Sequence, residues 1–259
     1  MTGVLSEVLR RAGYPRIVAP LLEDALHRAK AATIVDLCAG SGGPWPELAV
    51  HLSSSIRKQV RLVLLTDMFP NAESARDLLG RDHRGSLPLL DGSPQIACVR
   101  HSVNAECVPI WLKGFRTMFN SFHHFSPQAA RGILDSVVRK KEGIAVFEVP
   151  QRSITTICGS ALMAIGALLC VPLMRPFRWA RLFWTYVIPV LPIVLWVDGM
   201  ISCMRAYKPQ ELIKLAINTP SDYKWRAGII RSGYFGPAIT FLIGLPNSRT
   251  AFARGNPSR

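Results

Sequence analysis

The chain has 259 residues, 49% of them hydrophobic and 19% charged. That is enough apolar material for one large domain or a domain with an appendage, and it excludes a disordered or fibrous chain. Lysine and arginine (31) outnumber aspartate and glutamate (17), leaving a net charge of +14, so the expected partners are anionic. A mean hydropathy of +0.21 favours an anionic membrane surface over nucleic acid, whose binders spend their composition on polar surface.

In chain order, residues 3–30 read as one or two amphipathic helices broken at 13–15. Val4, Leu5, Val8 and Leu9, then Val18, Leu21, Leu22, Ala25 and Leu26, fall at helical spacing. This segment is expected to be a lid or an N-terminal dock. Residues 33–37 form a short apolar run ending in a glycine-rich loop, Ala39-Gly40-Ser41-Gly42-Gly43-Pro44, and a helical pattern follows through Glu47, Leu48 and His51. A second run, 60–66, ends at Asp67, and a third, 96–101, precedes a loop at 104–109. Strands are predicted at 117–120 and 144–149 with a helix at 127–140 between them. Strands alternating with helices imply an α/β fold with a mostly parallel sheet. After a helix at 209–217, runs at 224–231 and 238–245 flank a glycine- and proline-bearing turn at 232–237, which reads as an antiparallel terminal hairpin.

The chain thus divides into 1–150, an insertion at 151–207, and a closing segment at 208–259. Residues 154–174 are 21 in number and carry no charge; as one helix they would reach about 31 Å and match a hydrocarbon core of about 30 Å. Residues 182–197 are fewer and hold Pro189 and Pro192, which bend a helix. The link between them contains Arg175, Arg178 and Arg181, and two crossing arms would place it against the positive-inside tendency. An apolar helical hairpin, re-entrant or interfacial, is therefore expected, with Trp179, Phe183, Trp184 and Tyr186 at headgroup level. The other reading is a pair of buried helices capping the domain or an oligomer interface. The six cysteines, Cys38, Cys98, Cys107, Cys158, Cys170 and Cys203, form no CxxC pair and no His/Cys cluster, so no metal site and no disulfide framework are expected. The N-terminus shows no secretory h-region, and the chain is expected on the cytoplasmic side of a membrane, anchored by 154–197.

The acid-glycine sequence at 36–43 puts a carboxylate at a strand end and glycines where backbone must approach a ligand closely. Trp45 stands where a dinucleotide fold has its third glycine. Asp67, at the end of the second strand, is placed to accept both ribose hydroxyls of a nucleoside. Met68 and Phe69 are placed to flank a purine ring or to pack. His123 and His124 follow the fourth strand; either could remove a proton from an attacking hydroxyl, and adjacent histidines diverge too much to chelate one metal. Their other role would be to cap the following helix, which the Ser126-Pro127 start signals, or to pack against the sheet. Glu148 ends the fifth strand, where it could orient a substrate hydroxyl, pair with an arginine or bond to backbone. Asp198 and Arg205 return from the insertion as a buried pair or as substrate contacts.

On Val35-Asp36-Leu37-Cys38-Ala39-Gly40-Ser41-Gly42, Asp67 and the terminal hairpin, the chain resembles a class I S-adenosylmethionine-dependent methyltransferase over 33–149 and 208–246. The resemblance implies a Rossmann-like sheet and S-adenosylmethionine as cofactor. It implies that Asp36, Gly40 and Gly42 surround the methionine part and Asp67 the ribose. Where that family often carries an acid near the adenine amino group, this chain has Asn104, whose carbonyl can accept the same hydrogen bond. The expectation is O-methylation of a hydrophobic small molecule reaching the site from the membrane; the alternative is a non-catalytic membrane-surface protein with the same fold. Nicotinamide chemistry is disfavoured by Trp45 and the terminal hairpin.

Overall fold

The computed structural model describes residues 9–40, 42–70, 94–173, 179–217, 223–231 and 238–247. The expectations on Val4, Leu5, Val8, Ser41, Met174, Arg175, Arg178 and the turn 232–237 lie outside these residues.

Helix α1 (Tyr14–Ala29) begins at the break expected from the sequence, with Pro15 in its first turn, where a missing N–H costs no helical bond. Its buried residues Tyr14, Val18, Leu22, Ala25 and Leu26 recur every three or four positions and face the sheet. Strand β1 (Thr33–Leu37) leads through the glycine loop to α2 (Trp45–His51) and α3 (Ser54–Gln59). Then come β2 (Leu62–Leu65), β3 (Gln95–Cys98), β4 (Phe115–Phe119), a 3-10 turn (Phe122–His124), α4 (Pro127–Lys140) and β5 (Ile144–Glu148). Helix α4 has the bounds read from the sequence, because Ser126 Oγ accepts the Ala129 N–H at 3.3 Å and Lys141 closes the other end in a left-handed conformation.

The sheet has seven strands in the order β3-β2-β1-β4-β5-β7-β6. Strands β1 to β5 are parallel. The terminal hairpin of β6 (Tyr223–Arg231) and β7 (Ala238–Pro246) adds antiparallel to β5 through β7. Period-two alternation sorts the side chains into two cores. Ile34, Phe115, Phe119, Ala145 and Phe147 face α1 and α2. Val35, Leu37, Met118, Ile144 and Val146 face α4 and α8 (Pro209–Ala216). The second core also holds the fully buried Arg116, whose Nε donates to Glu142 Oε2 at 2.9 Å and Nη1 to Ser136 Oγ at 2.7 Å.

The insertion leaves β5 as α5 (Ile154–Cys170), continues through a 3-10 turn (Val171–Leu173), and returns as α6 (Trp179–Leu182), a π-helical turn (Phe183–Val187) and α7 (Val190–Arg205). The single 21-residue helix read from the sequence does not form. Helix α5 has 17 residues, about 26 Å, and the chain tightens before Pro172. Among the described residues no single helix is long and apolar enough to cross a membrane; α6 with its π-turn and α7 pass that test only together, bent by 73°, at the break beside Pro189. Helices α5 and α7 approach closely at Gly199, where a Cβ would come within 3.0 Å of Ser160 Cβ. At the base of the hairpin Arg152 pairs with Glu211, whose carboxylate also accepts the Lys208 N–H at 2.9 Å.

Candidate active site

All the parallel strands end on one edge, and the chain departs in opposite directions from β1 and β4. A crevice at such a switch point is where open α/β sheets bind ligands. Here it is a cavity of about 280 Å³. Its floor is the glycine loop, with Cys38, Gly40 and Gly43, beside Asp67; its far wall is Phe119, Asn120, Ser121 and His124. Leu9, Arg10 and Tyr14 close it from the N-terminal side, so the residues preceding α1 and its first turn take the place of the expected lid.

Asp67 is held by the loop it faces. Its Oδ2 accepts the Gly40 N–H at 2.8 Å and its Oδ1 the Phe69 N–H at 2.9 Å. Each oxygen keeps further acceptor capacity, and Asp67 lines the cavity. Gly40 and Gly43 sit at φ 55° and 56°, the left-handed region that glycine occupies without strain. A Cβ on Gly43 would meet Asp36 Oδ2 at 3.4 Å, so the loop lies directly on that carboxylate. Asp36 is 1% exposed and accepts from Thr117 Oγ1 at 2.6 Å. Burial pushes its carboxyl up to about 7, with the Thr117 bond opposing the rise. The Trp45 indole N–H also reaches Asp36 electrostatically without attaining hydrogen-bond geometry. The aromatic that departs from a dinucleotide loop is therefore a buried support for the acid. The Cys38 thiol, pushed up to about 12 mainly by burial, is inert as a nucleophile.

The two histidines have separate fates. His124 lines the cavity and is exposed. Its imidazole lies below the ordinary value through partial burial and the neighbouring His123, so it is neutral at neutral pH. His123 is buried, with Nδ1 paired to Glu148 and Nε2 3.1 Å from Ser202 Oγ on α7. Glu148, expected beside a substrate, is turned inward instead: its Oε1 accepts the Ser121 and Phe122 N–H groups at 2.9 and 2.7 Å. Gly42 is buried in the loop, Met68 is 47% exposed outside the cavity lining, and Asn104 Oδ1 accepts the Glu106 N–H at 2.9 Å in a local turn. Of the expected set, Gly40, Asp67 and His124 thus meet at the cavity; Asp36, Gly42, His123 and Glu148 lie behind its walls, and Met68 and Asn104 beyond them.

Tyr14, Asn120 and Ser202 escaped the sequence reading. Tyr14 OH donates to Phe147 O at 3.3 Å. Asn120, at φ 50°, accepts the Val149 N–H at 2.7 Å and ties the ends of β4 and β5 together. An asparagine directly after a strand is a visible signal for a left-handed residue; nothing local marks the other two. Among the described residues no cluster of three or more metal-ligating side chains occurs.

The amino-acid sequence matches no family model and no curated protein. The structure is similar to the methyltransferase domain of bacterial CtHen1, at 11% identity and a TM-score of 0.50 over 90% of this chain and 98% of that one. It is similar also to a candidate O-methyltransferase from Nostoc punctiforme, at 12% identity and a TM-score of 0.50, over 90% of this chain and 56% of that one. The chain has the class I methyltransferase fold. In this methyltransferase fold the strand order, the inverted last strand and the loop after β1 are accounted for, and the apolar hairpin between β5 and α8 is the part added to it.

Proposed function

We propose that the chain is an S-adenosylmethionine-dependent methyltransferase that methylates a hydroxyl group on a hydrophobic small molecule taken from the membrane interface. The observation that supports this reading most is the placement of Asp67 and the glycine loop at one end of a switch-point cavity and of neutral His124 at the other. S-adenosylmethionine, when bound, supplies an electrophilic methyl group on a sulfonium sulfur. Asp67 would accept the ribose hydroxyls, the backbone of Gly40 and Gly43 would admit the methionine part closely, and Asp36 beneath the loop, ionised above about pH 7, would offer a negative field to its positive charges. With the cofactor bound, His124 would take the acceptor hydroxyl's proton onto an imidazole nitrogen during methyl transfer. Alignment of the acceptor, worth up to about 7 to 11 kcal/mol in well-oriented reactions, falls to the cavity walls.

The insertion supports the acceptor class. Its surface carries Leu162, Leu169, Trp179, Trp184, Val187 and Ile193, all exposed, an apolar patch that suits a bilayer interface. Trp179, Trp184 and Tyr186 beside Arg181 have the composition of an interfacial belt. With the basic chain this surface would seat on anionic lipid from the cytoplasmic side.

The test is a calorimetric titration of detergent-purified protein with S-adenosylmethionine, with NADH and Asp67→Ala as controls. Binding in the wild type that is lost in Asp67→Ala, with no response to NADH, is expected. No binding by the wild type would favour a non-catalytic membrane-surface protein on the same fold.

A further inference from the structure

We infer that Ser202, carried into the domain by the apolar insertion, is a positioning residue for His124, acting through His123, which Glu148 holds from its other side. The inference rests on the methyltransferase reading, in which His124 is the base. The array itself stands on geometry. Glu148 anchors the 3-10 turn by accepting two of its backbone N–H groups on Oε1, and its Oε2 faces His123 Nδ1. A carboxylate only accepts, so Nδ1 carries a proton toward Glu148, while Nε2 shares a hydrogen bond with the Ser202 hydroxyl 3.1 Å away. Both nitrogens of His123 are committed, leaving none for a substrate proton. The His124 ring lies against the His123 ring, with centroids 4.1 Å apart and planes at 42°. Whatever fixes one ring fixes the surface on which the other rests.

Ser202 differs from Ser160 and Thr185, the other buried hydroxyls of the insertion's helices. Ser160 and Thr185 donate to carbonyls of their own helical turns, Ile157 O and Arg181 O, each at 2.6 Å, the usual fate of a hydroxyl in an apolar helix. Ser202 bonds outward to a side chain 79 positions earlier. Asp198, Ser202 and Arg205 fall at i, i+4 and i+7 and so share one face of α7. The charges of Asp198 and Arg205, with those of His123 and Glu148, act on His124, while Ile193, Val197, Ile201 and Met204 are exposed. One helix thus leaves apolar side chains exposed while its charges act on His124, and Ser202 is its hydrogen-bonded link to the histidine turn.

The experiment is nitrogen-15 NMR of histidine-labelled full-length protein in detergent micelles, on the wild type, Ser202→Ala and Ser202→Thr. In the wild type the His123 proton is expected on Nδ1. In Ser202→Ala the His123 Nε2 resonance moves, and the His124 midpoint rises toward the ordinary imidazole value by about half a pH unit or more, as its contact with His123 loosens; Ser202→Thr, which keeps the hydroxyl, restores both. A His124 midpoint identical in wild type and Ser202→Ala, or a His123 Nδ1 without a proton in the wild type, would overturn the inference. Failure of the wild type to bind S-adenosylmethionine in the calorimeter would instead overturn the methyltransferase reading, so the two failures are told apart.

Discussion

Replacing Asp36 with asparagine tests whether the base of the glycine loop is held in a costly state for the sake of a ligand. Asp36 rises from 3.8 to about 7, chiefly through burial; at about 1.36 kcal/mol per pH unit this is about 4 kcal/mol. Because the folded carboxyl binds its proton more tightly than the unfolded one, the contribution of Asp36 to wild-type stability is greatest below pH 4. It falls as pH rises from about 4 to about 7, and is flat above. The asparagine side chain keeps the shape and an acceptor for Thr117 Oγ1 without the charge. Urea unfolding from pH 4 to pH 9 is therefore expected to show Asp36→Asn more stable than wild type by about 2 to 4 kcal/mol above pH 7, allowing for a weaker bond to Thr117, with the gap closing toward pH 4. The same variant should bind S-adenosylmethionine more weakly, because the field beneath the loop is gone. A stability difference that does not vary with pH, or a wild type that gains stability from pH 4 to pH 7 relative to Asp36→Asn, would refute the burial argument. Equal affinity for the cofactor in both proteins would refute its functional half.

Once an acceptor is found by screening membrane extracts with radiolabelled S-adenosylmethionine, His124→Ala should lower turnover about 10²- to 10⁴-fold with cofactor affinity retained. Wild-type kcat should fall as pH drops through a midpoint below 6.5, because protonation of His124 removes the base and its value is lowered; a flat profile would exclude His124. Arg116→Ala leaves the Glu142 carboxylate without its buried partner and should cost about 3 to 5 kcal/mol in urea unfolding, and a loss within about 1 kcal/mol would show that the pair contributes little. Trp179→Glu combined with Trp184→Glu, at positions 78% and 49% exposed, should leave the thermal midpoint nearly unchanged and abolish co-sedimentation with anionic vesicles. Retained co-sedimentation would mean that the exposed apolar surface serves another partner.

Much of the domain was legible from local signals. The alternation of apolar runs with helical periods located all seven strands to within a few residues, and the Ser126-Pro127 start marked α4 because capping is a local backbone requirement. The acid-glycine loop and Asp67 were visible because their chemistry resides in residue type and spacing. The insertion was legible in composition and misread in form. Absence of charge over 154–174 says nothing about where a helix stops, and α5 ends at Cys170 before Pro172.

The residues whose roles depend on which way a side chain points could not be read in one dimension. His123 and His124 are neighbours of the same type, yet one is locked between β5 and α7 and the other lines the cavity. The difference comes from Glu148 and Ser202, which lie 25 and 79 positions away. Glu148 likewise had two readings at a strand end, and only the fold of the 3-10 turn beneath it turned its carboxylate inward. The sequence by itself determined the alternating elements, the glycine loop with its acids and the apolar hairpin, because each follows from hydrophobic period, backbone freedom or charge along a short segment. The tertiary structure alone decided which polar groups are spent on one another and which remain facing the cavity, because hydrogen-bond partners are chosen by proximity in space.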